Sequence, residues 1–135
     1  METNVQSNIV IAGASNLTKK PQDTPLNVIE LMCEATQKAA EDAGNDAILS
    51  VVDQIIVPQG TWTINNPGGL VAQHLGIPAK SITYNVGILQ SSLIKRAIED
   101  VNAAKSRCTL IVGGEAKDYE RNVSESLHAI PTLSD

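Results

Sequence analysis

The sequence predicts an α/β domain: a mainly parallel sheet with helices packed on it. Three observations carry this expectation. Short aliphatic runs alternate with stretches whose apolar residues recur every three or four positions. Hydrophobic residues make up 42% of the 135-residue chain but aromatic residues only 2%, with no Phe. The core is therefore built of Ile, Val, Leu and Ala, as in parallel strands buried on both faces. The elements follow one another as strand, helix, strand, short helix, strand, helix, strand, an order that implies right-handed crossovers.

Ser7 to Gly13 is a short apolar run ending in glycine and reads as the first strand. A polar loop, Ala14 to Asp23, precedes Thr24 and Pro25, an N-cap followed by proline at the first helical position. The helix that follows carries Leu26, Ile29, Met32, Cys33, Thr36, Ala39, Ala40 and Ala43 at helical spacing. Gly44 closes it as a left-handed cap. A second strand occupies Asp53 to Val57, within Ile48–Val57, and stops at Pro58 and Gly60. The turn-rich stretch Gly60 to Gly69 leads into a short helix, Leu70 to Leu75, ended by Gly76. Ser81 to Asn85 is the third strand. A long helix then runs from about Ile88 to Ala104, with Leu89, Leu93, Ile94, Ala97, Ile98, Val101 and Ala104 as one apolar stripe. Cys108 to Val112, ended by Gly113 and Gly114, is a fourth strand, and Glu115 to Asp135 reads as polar loop or tail. The chain is thus expected to be a single domain, residues 1–135, with its core at about 8–116 and a polar tail at 117–135.

Charge and composition exclude several functions. A net charge of -5 argues against a phosphate-backbone partner, which selects clustered Lys and Arg. Lys19-Lys20 and Lys95-Arg96 are isolated pairs, expected to be solvated. No nucleic-acid or membrane partner is expected, since no apolar run approaches the roughly 20 residues a span needs. The first seven residues lack the basic and apolar regions of a secretory signal, which points to the cytoplasm. Cys33 and Cys108 then read as free, packed thiols.

Few residues suggest chemistry. Gly13-Ala14-Ser15 after the first strand lacks the further glycines of a dinucleotide-binding turn and reads as a plain loop; a small nucleotide-binding domain would require phosphate binding there. His74 and His128 stand apart from other metal-ligating residues, so no metal site and no catalytic triad is expected. Trp62, the sole tryptophan, lies in a Gly/Pro-rich loop, either as a contact surface or packed over the sheet. The strand-to-helix turn at Asn85, Gly87, Ile88, Leu89, Gln90 and Ser91 is the best-placed candidate. Such a turn directs backbone N–H groups and the positive end of a helix dipole outward, which suits an anion or a thiolate, yet it holds no Cys, His, Asp or Glu.

In order and spacing, several segments resemble the N-terminal half-domain of the thiolase superfamily, in the acetyl-CoA acetyltransferase and sterol carrier protein thiolase-like branch. They are Ile9–Gly13, Pro25–Met32, Asp53–Val57, Asn66–Gly76 and Val112-Gly113-Gly114-Glu115-Ala116, spanning most of residues 8 to 116. The resemblance implies a thiolase-like half-domain and acyl transfer from a coenzyme A thioester, with no separate cofactor. In thiolases the nucleophilic cysteine opens the helix after the third strand, a position that falls here at about Ile88 or Leu89. An aliphatic side chain does not attack a thioester. The histidine and second cysteine of thiolase chemistry come from a second half-domain. The resemblance therefore implies no catalytic residue in this chain and an acyl-CoA pocket at Asn85, Gly87, Ile88, Leu89, Gln90 and Ser91. The implied partners are a separate C-terminal thiolase half or further copies in a homo-oligomer. The alternative is a non-catalytic, self-associating scaffold module.

Overall fold

The computed structural model describes residues 9–20, 23, 26–85 and 90–116. Three strands form one parallel sheet in the order β2-β1-β3: β1 (Gln54–Pro58), β2 (Lys80–Tyr84) and β3 (Thr109–Ile111). The central strand aligns Ile56 with Ile82 on one side and with Ile111 on the other. Three helices are α1 (Val28–Asp42), α2 (Pro67–Leu75) and α3 (Gln90–Asn102), with a 3-10 turn at Asp46–Val51. Parallel strands joined through helices are the architecture the aliphatic runs predict.

The helix α1 starts later than the Thr24-Pro25 pair suggests; those two residues lie outside the described set. Asn27 is the N-cap, its side chain accepting from Glu30 N at 2.8 Å while Glu30 Oε1 accepts from Asn27 N at 2.9 Å. This reciprocal capping box satisfies two donors that would otherwise be orphaned. Val28, Ile29, Met32, Cys33, Thr36 and Ala40 are buried along one stripe, and the Thr36 hydroxyl donates to Met32 O at 2.7 Å. Gly44, at φ +93°, ends the helix as expected.

Helix α2 begins three residues earlier than the sequence suggests, because Pro67, Gly68 and Gly69 form its first turn. Asn66 caps it in the left-handed region, its Oδ1 accepting from Gly69 N. A side chain at Gly68 would strike Ser81 Cβ, so glycine here serves close approach of helix to sheet.

The two faces of β1 are covered differently. Ile55 and Val57 lie in one apolar cluster with Val28, Met32, Val71, Ala72, Trp62 and Val112, under α1 and α2. Gln54 and Ile56 point the other way, toward α3, since successive strand residues alternate. Ile55, Ile56 and Val57 are fully buried.

Two expectations are corrected. The run Ile9 to Gly13 is not a strand: Val10 and Ile11 are 74% and 76% exposed. Both ladders of β1 are taken by β2 and β3, and this segment lies along α1 instead. Ala14 N donates to Asp42 Oδ2 at 2.9 Å and Ser15 Oγ to Ala35 O at 2.6 Å. Gly13 packs against Ala39 and Ala43, which settles Gly13-Ala14-Ser15 as a loop on a helix. The stripe on α3 is also misassigned. Leu93 is buried and Leu89 lies outside the described residues, but Ile94 and Ile98 are 43% and 44% exposed and Ala104 is exposed. The seam that meets the sheet runs through Leu93, Ala97 and Asp100, about 100° around the helix from the Ile94–Ile98 line.

Asp100 is buried because the sheet supplies its partner: Gln54 Nε2 donates to Asp100 Oδ2 at 3.0 Å, and Arg96 Nε reaches both carboxylate oxygens at 3.1 Å. From Gln54 the network continues through Thr109 to Ser106, whose hydroxyl donates to Asp53 Oδ1 at 2.6 Å; Arg107 N donates to Asp53 Oδ2 at 2.9 Å. This chain of bonds fastens the end of α3 to the amino edge of the sheet. Lys19 and Arg96, expected to be solvated, each have an acidic partner, Glu34 and Asp100.

The network makes a pH prediction. Burial pushes the Asp53 carboxyl up, but hydrogen bonds from Ser106 and the backbone hold it below its ordinary range. The Gln54 amide lowers Asp100, against burial, with Arg96 adding to the effect. Both groups ionise more readily in the folded chain, so their stabilisation is fully present above the unfolded value of about 3.9. It is lost as pH falls from there through the lower folded values. Urea midpoints should drop steeply below about pH 4, and Asp53→Asn should make that drop shallower. An unchanged pH profile in Asp53→Asn would remove this carboxylate from the account.

Candidate functional site at the carboxyl edge of the sheet

Parallel strands place their ends together, and in open α/β sheets the carboxyl edge is where ligands bind. The strand ends Pro58, Tyr84 and Ile111 bring three segments to this edge. Gln59 N donates to Tyr84 O at 2.7 Å, continuing the β1–β2 ladder up to Asn85. After β3, Gly114 O accepts from Trp62 Nε1 at 2.9 Å, and the Glu115 carboxylate accepts from Thr61 N and Thr61 Oγ1, both at 2.8 Å. Gln59 Nε2 donates to Trp62 O at 2.9 Å. The loop after β1 is thus tied to the loop after β3, across a separation of 54 residues in the case of Glu115 and Thr61.

Trp62 is only 4% exposed and belongs to the main apolar cluster. Of the two readings its loop position left open, packing over the sheet is the one realised. Gly60 beneath it has no room for a Cβ, which would land on Trp62 Nε1.

Of the turn singled out in the sequence, Asn85 lies at this same edge. Asn85 follows the last residue of β2, and Gln90 and Ser91 begin α3; all three are exposed. Gly87, Ile88 and Leu89 lie outside the described residues. Asn85 thus stands at the carboxyl edge, and the sequence does not reveal the cross-tie that joins Gln59, Thr61 and Trp62 to Gly114 and Glu115 there. No local signal marks that tie, since its halves are distant in the chain and neither forms a helix or strand.

The two thiols stand away from this edge. Cys33 sits in α1 within the apolar cluster, where burial, with Glu30 nearby, pushes its pKa up. Cys108 precedes β3 at the opposite, amino edge, where burial and then Asp53 push it up as well. The chain has only these two cysteines, and both are held toward the unreactive thiol form, as the sequence suggests. His74 is exposed on α2, with Nδ1 3.1 Å from Leu70 O. Among the described residues no group of three His, Cys, Asp or Glu side chains is placed to hold a metal ion. Among the same residues, no helix is long and apolar enough to cross a membrane.

No family model matches the chain, and no curated protein matches it. Among solved structures it is similar to a monomeric SCP2-thiolase-like protein type 1 from Mycobacterium smegmatis, with a TM-score of 0.56 and 22% identity. The similarity covers 78% of this chain and 23% of that one, so the chain spans about a quarter of its structural neighbour. At that identity the likeness speaks for the fold, and the fold is thiolase-like: an α/β half-domain, as the sequence resemblance implies.

Proposed function

We propose that this chain is a thiolase-like acyl-CoA-binding half, related to acetyl-CoA acetyltransferases, that does not turn over by itself. The observation that carries this reading is the placement of its chemistry. In this reading the turn from β2 to α3 forms the mouth, supported by Asn85 at the end of β2 and Gln90 at the start of α3, while both cysteines lie elsewhere with raised pKa values. An anionic thioester ligand suits a helix N-terminus that carries no acidic residue in its first turn. Acyl transfer through an enzyme thiol has no activated sulfur in this chain to form on. A companion polypeptide supplying a C-terminal thiolase half would complete the site, and the 23% coverage of the structural neighbour supports looking for one.

Isothermal calorimetry with acetyl-CoA tests the reading directly. Binding heat is expected for the chain with a C-terminal thiolase half added, and Gln90→Glu together with Ser91→Glu should abolish it by placing like charge at the mouth. Mass spectrometry after incubation with acetyl-CoA should show no acyl adduct on Cys33 or Cys108. No heat for the completed pair would end the acyl-CoA assignment.

A second reading, a non-catalytic module that self-associates, is favoured by one specific observation. Ile94 and Ile98 are exposed one turn apart on α3, an apolar surface of the kind that drives association.

A further inference from the structure

Helix α3 is docked against its own pattern. Leu93 and Asp100 are its only buried residues, while Ile94 and Ile98 stay 43% and 44% exposed. At about 100° per residue, Leu93, Ala97, Val101, Ile94 and Ile98 make one apolar arc. The centre of that arc lies roughly 60° around the helix from the centre of the Leu93, Ala97 and Asp100 seam that meets the sheet. Turning α3 by that angle would bring Ile94 and Val101 inward and carry Asp100 out toward water. Burial of apolar area favours the turned setting, and so does hydration of a carboxylate. A carboxylate near the end of a helix also meets the negative pole of its dipole. Apolar spacing and charge thus favour a setting that α3 does not adopt.

What holds the observed setting is polar. Among the described residues four polar side chains are buried, and three of them, Gln54, Asp100 and Ser106, belong to one network. Gln54 lies on the central strand, 5% exposed, and its Nε2 donates to Asp100 Oδ2 at 3.0 Å. Arg96 Nε reaches the same carboxylate from within the helix. Every buried side-chain nitrogen and oxygen among the described residues has a partner. A fully satisfied network fixes one arrangement among several of similar compactness. Turning the helix would strip the Gln54 amide of its carboxylate, and an unmade buried bond is costly.

We propose that the Gln54–Asp100 bond is a rotational pin: Asp100 is a positioning residue that selects the setting of α3, and thereby the direction in which Gln90 and Ser91 face. Asp100 stands about 15 Å along the axis from Gln90, at 1.5 Å per residue. The pin therefore acts from the amino edge of the sheet on the far end of the helix. Its bearing on the mouth rests on the acyl-CoA reading; the pin itself does not.

Thiol labelling tests it, with Ile98→Cys as the reporter and circular dichroism confirming that each chain keeps its helices. Mass spectrometry of tryptic peptides separates this thiol from Cys33 and Cys108. In the otherwise wild-type chain the reporter should react readily with iodoacetamide, as an exposed position does. Gln54→Leu removes the pin and leaves the sequence of α3 intact. Asp100 then loses its amide and α3 should turn. Labelling should slow by about fivefold or more, because only chains in the original setting expose the thiol. Adding Asp100→Leu to Gln54→Leu makes the original seam apolar throughout and should restore fast labelling. Loosening of the helix would have the opposite sign, speeding the reaction in Gln54→Leu. Should Gln54→Leu not fold, Asp100→Lys takes its place, since an ammonium cannot accept from the amide and must reach water. Unchanged or faster labelling in the pinless chain, or lasting protection in the Gln54→Leu/Asp100→Leu chain, overturns the pin. A slowed reporter in a protein whose completed pair binds no acetyl-CoA upholds the pin and ends only the acyl-CoA reading.

Discussion

Replacing Trp62 with alanine is expected to cost about 3–5 kcal/mol, the range for deleting a large buried aromatic side chain. A domain of this size has only about 5–15 kcal/mol of net stability, so a substantial fraction of the variant should be unfolded at 37 °C. Trp62 is 4% exposed and shares a cluster with Val57, Val112 and Ala116, so the truncation opens a void at the carboxyl edge. Its Nε1 also donates to Gly114 O, a carbonyl that would lose its partner. Trp62→Phe separates the two effects. It keeps most of the ring volume but leaves that carbonyl unpaired, and should cost about 1–3 kcal/mol. Glu115→Ala removes only solvent-exposed bonds to Thr61 and should fall below both. Urea unfolding followed by far-ultraviolet circular dichroism is the appropriate measurement, since Trp62 is the only tryptophan. A loss under 1 kcal/mol in Trp62→Ala would mean the side chain is not packed as described.

What the sequence disclosed, and what it withheld, follows from the range of the forces involved. The central strand was legible because Gln54 to Val57 is buried throughout, so selection for aliphatic residues is unbroken and Pro58 marks its end. Gly44 and Gly76 were legible because positive φ favours glycine whatever surrounds it. The end of β2 and the start of α3 were legible on either side of the candidate turn, because each element carries its own pattern. The first run, Ile9 to Ile11, misled because its composition is that of a strand. Whether such a run joins a sheet depends on a free ladder and a docking partner, neither of which is local. The stripe on α3 misled for a related reason. Apolar spacing counts Ile94 and Ile98 as inward, but the helix is rotated to bring Asp100 to Gln54 Nε2. A buried carboxylate is invisible to periodicity, because its justification lies 46 residues away. The cross-tie of Thr61 with Glu115 was hidden in the same way. The fold thus follows from patterns each element carries alone, whereas the site is assembled from loops that have no pattern.

Introducing a β-carbon at Gly68 should destabilise the chain, although the same change in an exposed helix would stabilise it by up to about 1 kcal/mol. A Cβ at this position would lie 2.6 Å from Ser81 Cβ and 3.3 Å from both Ile55 Cγ2 and Val57 Cγ2. These atoms sit on β1 and β2, which are laddered to each other and cannot retreat independently. Helix α2 must therefore lift, and Asn66 Oδ1, which accepts from Ser81 Oγ as well as Gly69 N, is pulled from its partners. Overpacking of this kind costs about 1–3 kcal/mol, enough to outweigh the helical gain, and Gly68→Val should cost more than Gly68→Ala. Gly76→Ala provides the contrast, because nothing lies within 4 Å of its Cβ and only its φ of +67° opposes the change. Removing the obstructing atom should rescue the packing: Gly68→Ala with Ser81→Gly is expected to lose less than the sum of its single changes, by about 0.5 kcal/mol or more. Thermal melts of the four chains measure this coupling. Strict additivity, or a rise in stability for Gly68→Ala, would show that α2 does not rest on the sheet through this glycine.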